Sequence, residues 1–126
     1  MDTKLKKVIE RIIDIPRDFR RRKNISPINL TKESGYLEHH EKISESEIIE
    51  ILKGNPQSIA EWVLWSENKR STSTWLFTRD EEDGWCFVGH SPESKEFEEI
   101  NTKDEFFACA AFIKREVESI RKTFYD

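Results

Sequence analysis

The chain has 126 residues, 37% of them charged and 36% hydrophobic, with a formal net charge of −4. That length suits one domain, and no Pro/Gly/Ser-rich linker interrupts it, so 1–126 is expected to be a single domain. Cys 2 excludes a disulfide scaffold, no apolar run is long enough to span a membrane, and the first residues lack the apolar core of a signal peptide, which points to a cytoplasmic protein.

In chain order, Leu5, Val8, Ile9, Ile12 and Ile13 recur at three- and four-residue spacing. They predict a helix from about Thr3 to Asp14, ended by Pro16. Arg17-Asp18-Phe19-Arg20-Arg21-Arg22-Lys23 follows as the one basic cluster, and the poorly periodic stretch through Pro27 and Gly35 reads as a long connection. Ser44 stands three residues before Glu47, a capping box that opens a second helix over about Glu45–Lys53. Ile43 and Ile48 are spaced as a hydrophobic staple around that cap, and Gly54 with Pro56 closes the helix.

From Ile59 to Gly89 the aromatic and β-branched residues thicken into three runs, Ile59–Glu67, Thr74–Arg79 and Gly84–Gly89. An antiparallel meander is the expectation, turning at 68–73 and at Asp80–Asp83. Ile59, Trp62, Val63 and Glu67 are also helix-spaced, which leaves a helix as the alternative for the first run. Alternation sets Trp75 with Phe77 and Trp85 with Phe87, four aromatics expected on one side of the sheet. Finally, Thr102 with Glu105 forms another capping box, and Phe106, Ala110, Ile113, Val117, Ile120 and Phe124 mark an amphipathic helix of about five turns. The expected fold class is α+β: a short antiparallel three-stranded, or slightly larger, meander covered by a long C-terminal amphipathic helix, with two N-terminal helices.

Charge divides the chain. Residues 1–58 sum to +2 and residues 59–126 to −6, and between Asp80 and Glu105 ten acids face only Lys95 and Lys103. Such a segment repels nucleic acid and attracts a basic protein. Trp62, Trp65, Trp75 and Trp85 all fall in the expected sheet region. Three short strands and one helix do not easily bury four indoles, so one or two are expected at a surface beside carboxylates, as a protein interface requires.

Catalytic signatures are missing from the sequence. No glycine-rich phosphate loop or glycine-flanked nucleophilic serine occurs, and the carboxylates cluster in turn-like, solvated stretches. Cys86 and Cys109 have apolar neighbours that keep thiols inert. His39 and His40 are adjacent and so point apart, and with His90 they read as exposed loop imidazoles. No cofactor or metal is expected, and the chain reads as a binding protein, not an enzyme. The Arg17–Lys23 cluster offers an alternative, a nucleic-acid or ribonucleoprotein factor, which the negative net charge disfavours.

The Trp-rich stretch EWVLWSENKRSTSTWLF running into RDEEDGWCFVG, together with the closing amphipathic helix and the acidic balance, resembles the immunity proteins of bacterial contact-dependent growth inhibition and related polymorphic toxin systems. The resemblance covers about residues 59–126 and implies a cytoplasmic antitoxin that binds a cognate toxin domain, often a nuclease, and occludes its active site. The residues expected to meet such a basic partner are Asp80, Glu81, Glu82, Asp83, Glu93, Glu96, Glu98 and Glu99, with Trp85 and Trp65 as apolar anchors.

Overall fold

The computed structural model describes residues 2–68, 75–90 and 99–125. Among them are seven α-helices and one three-stranded sheet: α1 Thr3–Ile13, α2 Ile15–Arg21, α3 Pro27–Ser34, α4 Tyr36–His39, α5 Glu45–Leu52, α6 Gln57–Glu67, β1 Trp75–Arg79, β2 Cys86–His90, β3 Glu99–Thr102 and α7 Glu105–Phe124. The α+β class, the antiparallel sheet and the long closing helix are as expected. The helical half is larger than the two early helices read from sequence.

α1 forms as its periodicity requires, burying Val8, Ile9, Ile12 and Ile13, with Asp2 accepting from the Lys4 amide at its start. Pro16 does not simply end it. It occupies the first turn of α2, where a missing N–H costs nothing because that amide has no intrahelical partner. The expected long connection is likewise helical. Ser26 caps α3 by accepting from the Asn29 amide, Pro27 follows as the first helical residue, and Gly35 ends the helix at φ 90°. Each of these signals is local and lacks a strong hydrophobic period, which is why the stretch read as loop.

The run Ile59–Glu67 is a helix, not the expected first strand. Its buried residues Ile59, Trp62 and Ser66 lie three and four apart, with Ser58 four before Trp62, while Ala60 and Leu64 are exposed, a period of 3.6 and not of 2. The meander is instead β1-β2-β3, antiparallel throughout, and its third strand Glu99–Thr102 pairs Val88 with Ile100 and Cys86 with Thr102. That strand is four residues of half-polar sequence and carries no signal of its own.

Register separates the aromatics that alternation seemed to group. Phe77 stands opposite Val88 and Arg79 opposite Cys86, so Phe77, Val88 and Cys86 share the face toward α7. Phe87 pairs with Thr78 on the other face, and Trp85 precedes the strand. Phe77 and Phe112 pack with centroids 5.6 Å apart, and Phe112 meets Trp62 edge-on at 5.9 Å. α7 thus joins the sheet to α5 and α6, with Ala108, Cys109, Ala110, Phe112, Ile113 and Val117 buried in one core. Phe112, Ile113 and Val117 each contribute roughly 1.5–3 kcal/mol on full burial.

Two caps differ from their expected form. Asp104, not Thr102, caps α7, accepting from the Phe106 and Phe107 amides at 3.1 Å; Thr102 supports it by accepting from the Asp104 amide at 3.0 Å. At α5, Ser44 donates to the Glu47 carboxylate at 2.8 Å instead of capping the amide, while Ile43 and Ile48 are both buried, as a staple would have them. No helix among the described residues is long and apolar enough to cross a membrane.

Candidate functional site

The β1–β2 connection presents four consecutive carboxylates, Asp80, Glu81, Glu82 and Asp83, all exposed. Its shape is set by its own polar groups. The Asp80 amide donates to the Trp85 carbonyl at 2.8 Å and the Gly84 amide to the Asp80 carbonyl at 2.9 Å. The Asp80 side chain accepts from the Glu82 amide at 2.9 Å, an Asx-type turn. Gly84 sits at φ 79°, a left-handed position that glycine takes without a Cβ penalty. Asp83 then accepts from the Trp85 amide at 3.0 Å, which fixes a carboxylate beside the indole.

Trp85 is 48% exposed, and the Lys103 ammonium stands 5.5 Å from its ring centroid. Arg79 at the end of β1 pairs with Glu105 in the first turn of α7 at 3.2 Å, which ties the base of the turn to the helix. The arrangement is an acidic loop with one apolar ring at its foot, held in shape by its own hydrogen bonds. It can receive cationic side chains and bury an anchor, and it has no group placed as a nucleophile.

Of the other residues expected here, Glu99 is exposed at the start of β3, opposite Gly89. Glu93, Glu96 and Glu98 lie outside the described residues, as do Thr74 and most of the first expected turn. Trp65 is elsewhere. It is half-buried on α6, edge-on to Phe19 at 5.4 Å, with its indole N–H donated to Glu116 at 3.2 Å. Trp62 is buried in the core, and Trp75 stacks on His90 with centroids 3.7 Å apart and Arg115 on its ring at 5.1 Å. The tryptophans therefore spread over a helix, a strand and a turn, and do not line one sheet.

Three arginines of the basic cluster, which stays largely exposed, have acidic partners that the sequence did not suggest. Arg17 and Arg20 donate to the two oxygens of Glu61 at 2.8 and 2.7 Å, joining α2 to α6. Arg22 donates to both oxygens of Glu33 at 2.5 and 3.3 Å. None of these three turns to the Asp80–Asp83 carboxylates, which stay outward.

A polar cluster behind α7 was invisible to sequence reading because its members are far apart in the chain. Tyr36 donates to Glu118, Lys114 donates to the Tyr36 hydroxyl at 2.8 Å and to the His40 carbonyl at 2.9 Å, and Arg121 meets Glu118 at 2.9 Å. Burial alone would raise the Glu118 pKa, but the hydrogen bonds from Arg121 and Tyr36 and the Lys114 charge outweigh it and hold the carboxyl at about 2. Burial pushes Tyr36 well above the usual phenol range and Lys114 below the usual ammonium range. His39 and His40 are half-buried at the end of α4, not loop imidazoles, and the His40 Nδ1 is 3.7 Å from Glu118. Through these bonds Tyr36 and His40 tie α4 and its end to α7.

Cys86 and Cys109 are buried free thiols, both pushed upward in pKa by that burial. No group of three or more His, Cys, Asp or Glu side chains among the described residues is arranged to hold a metal ion. No protein-family model, no curated protein and no solved structure matches this chain.

Proposed function

We propose that this chain inhibits a basic protein by binding it, in the manner of the immunity proteins of contact-dependent growth inhibition, and that its partner is a toxin domain, a nuclease in the first instance. The observation that carries the reading is the Asp80–Asp83 turn: four outward carboxylates in a self-bonded loop, next to a half-exposed Trp85, while Arg17, Arg20 and Arg22 pair with Glu61 and Glu33 instead of with these acids. A nuclease cleft is lined with lysine and arginine to hold phosphates, and a rigid row of carboxylates can occupy the same positions. The acids raise the association rate by steering, and the indole supplies the desolvated anchor that slows dissociation. Glu99, exposed opposite Gly89, stands at the end of β2 away from this turn. The proposed action is stoichiometric, occurs in the bacterial cytoplasm, and requires neither cofactor nor catalysis. The nucleic-acid alternative is weakened at Arg17 and Arg22, whose ion pairs with Glu61 and Glu33 compete with phosphate.

The test is a kinetic binding measurement against the toxin domain encoded by the neighbouring gene. Asp80→Asn, Glu81→Gln, Glu82→Gln and Asp83→Asn together should slow association at least about tenfold at low salt and flatten its salt dependence. Trp85→Ala should speed dissociation. Wild-type rates in both variants would dismiss the acidic-turn mechanism, and a salt-sensitive gel shift with RNA or DNA would favour the alternative.

A further inference from the structure

A second surface, sharing no residue with the acidic turn, has the construction of a small-molecule site. Between α2 and α6 lies a groove of about 310 Å³ lined by Pro16, Phe19, Leu64 and Trp65, with Arg20, Glu61 and Asn68 at its polar edge. That volume is at the lower end of ligand-binding pockets, enough for a flat group of one or two rings and too small to seat a helix. Phe19 and Trp65 meet edge to face at 5.4 Å, and the Trp65 N–H is committed to Glu116, so the walls offer ring surface and not polar atoms. Leu64 is 49% exposed at the centre of α6, an apolar side chain left at the mouth.

The hydrogen-bonding inventory at the edge sets the sign of the ligand. Each Glu61 oxygen already accepts a guanidinium N–H, one from Arg17 and one from Arg20. Arg20 gives Glu61 a single terminal nitrogen, and its side chain is 61% exposed, so most of its five donors face outward. Asn68 gives one of its two side-chain N–H groups to the Leu64 carbonyl at 3.3 Å, which leaves the other as a further donor beside a single amide oxygen. The edge therefore needs an acceptor, and a planar anion on a guanidinium fork is the strongest pairing available. Asp14, 3.9 Å from Arg17, and Glu61 balance the charges of Arg17 and Arg20, so the open Arg20 donors and not a net positive rim would hold the ligand. We infer that the α2–α6 groove binds a small aromatic carboxylate, its rings against Phe19, Leu64 and Trp65 and its carboxylate on Arg20.

The probe is 2-naphthoate titrated into the full chain, followed by ¹H–¹⁵N resonances of the four indoles. A saturable shift of the Trp65 indole with no shift at Trp85 is expected. Arg20→Gln should weaken naphthoate about tenfold, the effect of losing one charge-assisted hydrogen bond. Leu64→Asp, which places a carboxylate at the mouth, should abolish binding; both positions are exposed, and unchanged Trp75 and Trp85 indole resonances with wild-type circular dichroism in each free variant verify folding. The cationic 2-naphthylmethylamine should bind at least about tenfold more weakly than naphthoate, a difference of about 1.4 kcal/mol. Equal binding of the two, or shifts centred on Trp85, would overturn the inference. Binding of an acetyl-Glu-Trp-Glu amide without binding of naphthoate would overturn it in favour of a peptide ligand.

Discussion

The indole N–H of Trp62 donates to the Ile13 carbonyl at 2.9 Å, tying the middle of α6 to the end of α1. Trp62 is 1% exposed and also packs on Phe112, so the bond lies in the core. Trp62→Phe keeps an aromatic ring but leaves a buried acceptor unmatched and a gap where the second ring was. A loss of about 2–3 kcal/mol is expected from urea unfolding. A loss under about 0.5 kcal/mol would mean that the carbonyl finds another donor.

Glu118 makes stability depend on acid in a defined window. Its folded pKa is depressed from 4.5 to about 2, so the carboxylate stabilises the fold fully above about pH 4.5, and that contribution is lost as pH falls toward 2. Glu118→Gln should therefore be less stable than wild type at neutral pH, with the gap narrowing through this window. Urea midpoints measured across it decide the matter; a gap that stays constant would place the stabilisation outside the carboxylate charge.

The cap of α7 distinguishes the observed start from the expected capping box. Asp104→Ala removes an acceptor shared by two amides and should cost about 1 kcal/mol. Glu105→Gln should cost less, since the partner it weakens is the half-exposed Arg79. Thermal unfolding of both variants checks the order, and the reverse order would restore Thr102 and Glu105 as the cap.

Gly35 links α3 to α4 at φ 90°, and a Cβ there would stand 3.2 Å from Val8 Cγ2. Gly35→Ala should destabilise by roughly 1–2 kcal/mol from backbone strain. A neutral effect in chemical unfolding would show that the α3–α4 junction relaxes.

The cysteines should be poor nucleophiles. Burial raises both thiols, Cys109 most, so thiolate is scarce at mildly alkaline pH. A disulfide reagent should label Cys109 only as fast as the chain unfolds, with prompt labelling of both once denaturant is added. Rapid native labelling of Cys109 would contradict its burial.

Elements dominated by one period were legible in the sequence. α1, α5 and α7 bury side chains at the three- and four-residue spacings seen in the chain, and the burial of both cysteines followed from their apolar neighbours. It failed at Ile59–Glu67, where indoles and β-branched residues favour strands but the buried set Ile59, Trp62 and Ser66 obeys a helix, since propensity is weaker than the surface a segment must bury. It missed β3, whose four residues are held in place by their pairing with β2.

For the candidate site, Asp80–Asp83 and Trp85 could be named from the chain because adjacent residues in a turn stay adjacent in space. Trp65 could not be placed, and neither Glu61 as the partner of Arg17 and Arg20 nor Glu118 as the partner of Tyr36 was legible, because those contacts join positions 41 to 82 residues apart. By itself the sequence determined the helical faces, the turn chemistry and the concentration of acid, all properties of neighbouring residues. Only the tertiary structure decided which arginines are neutralised, which indoles are covered and where a groove opens, because those depend on which distant segments pack together.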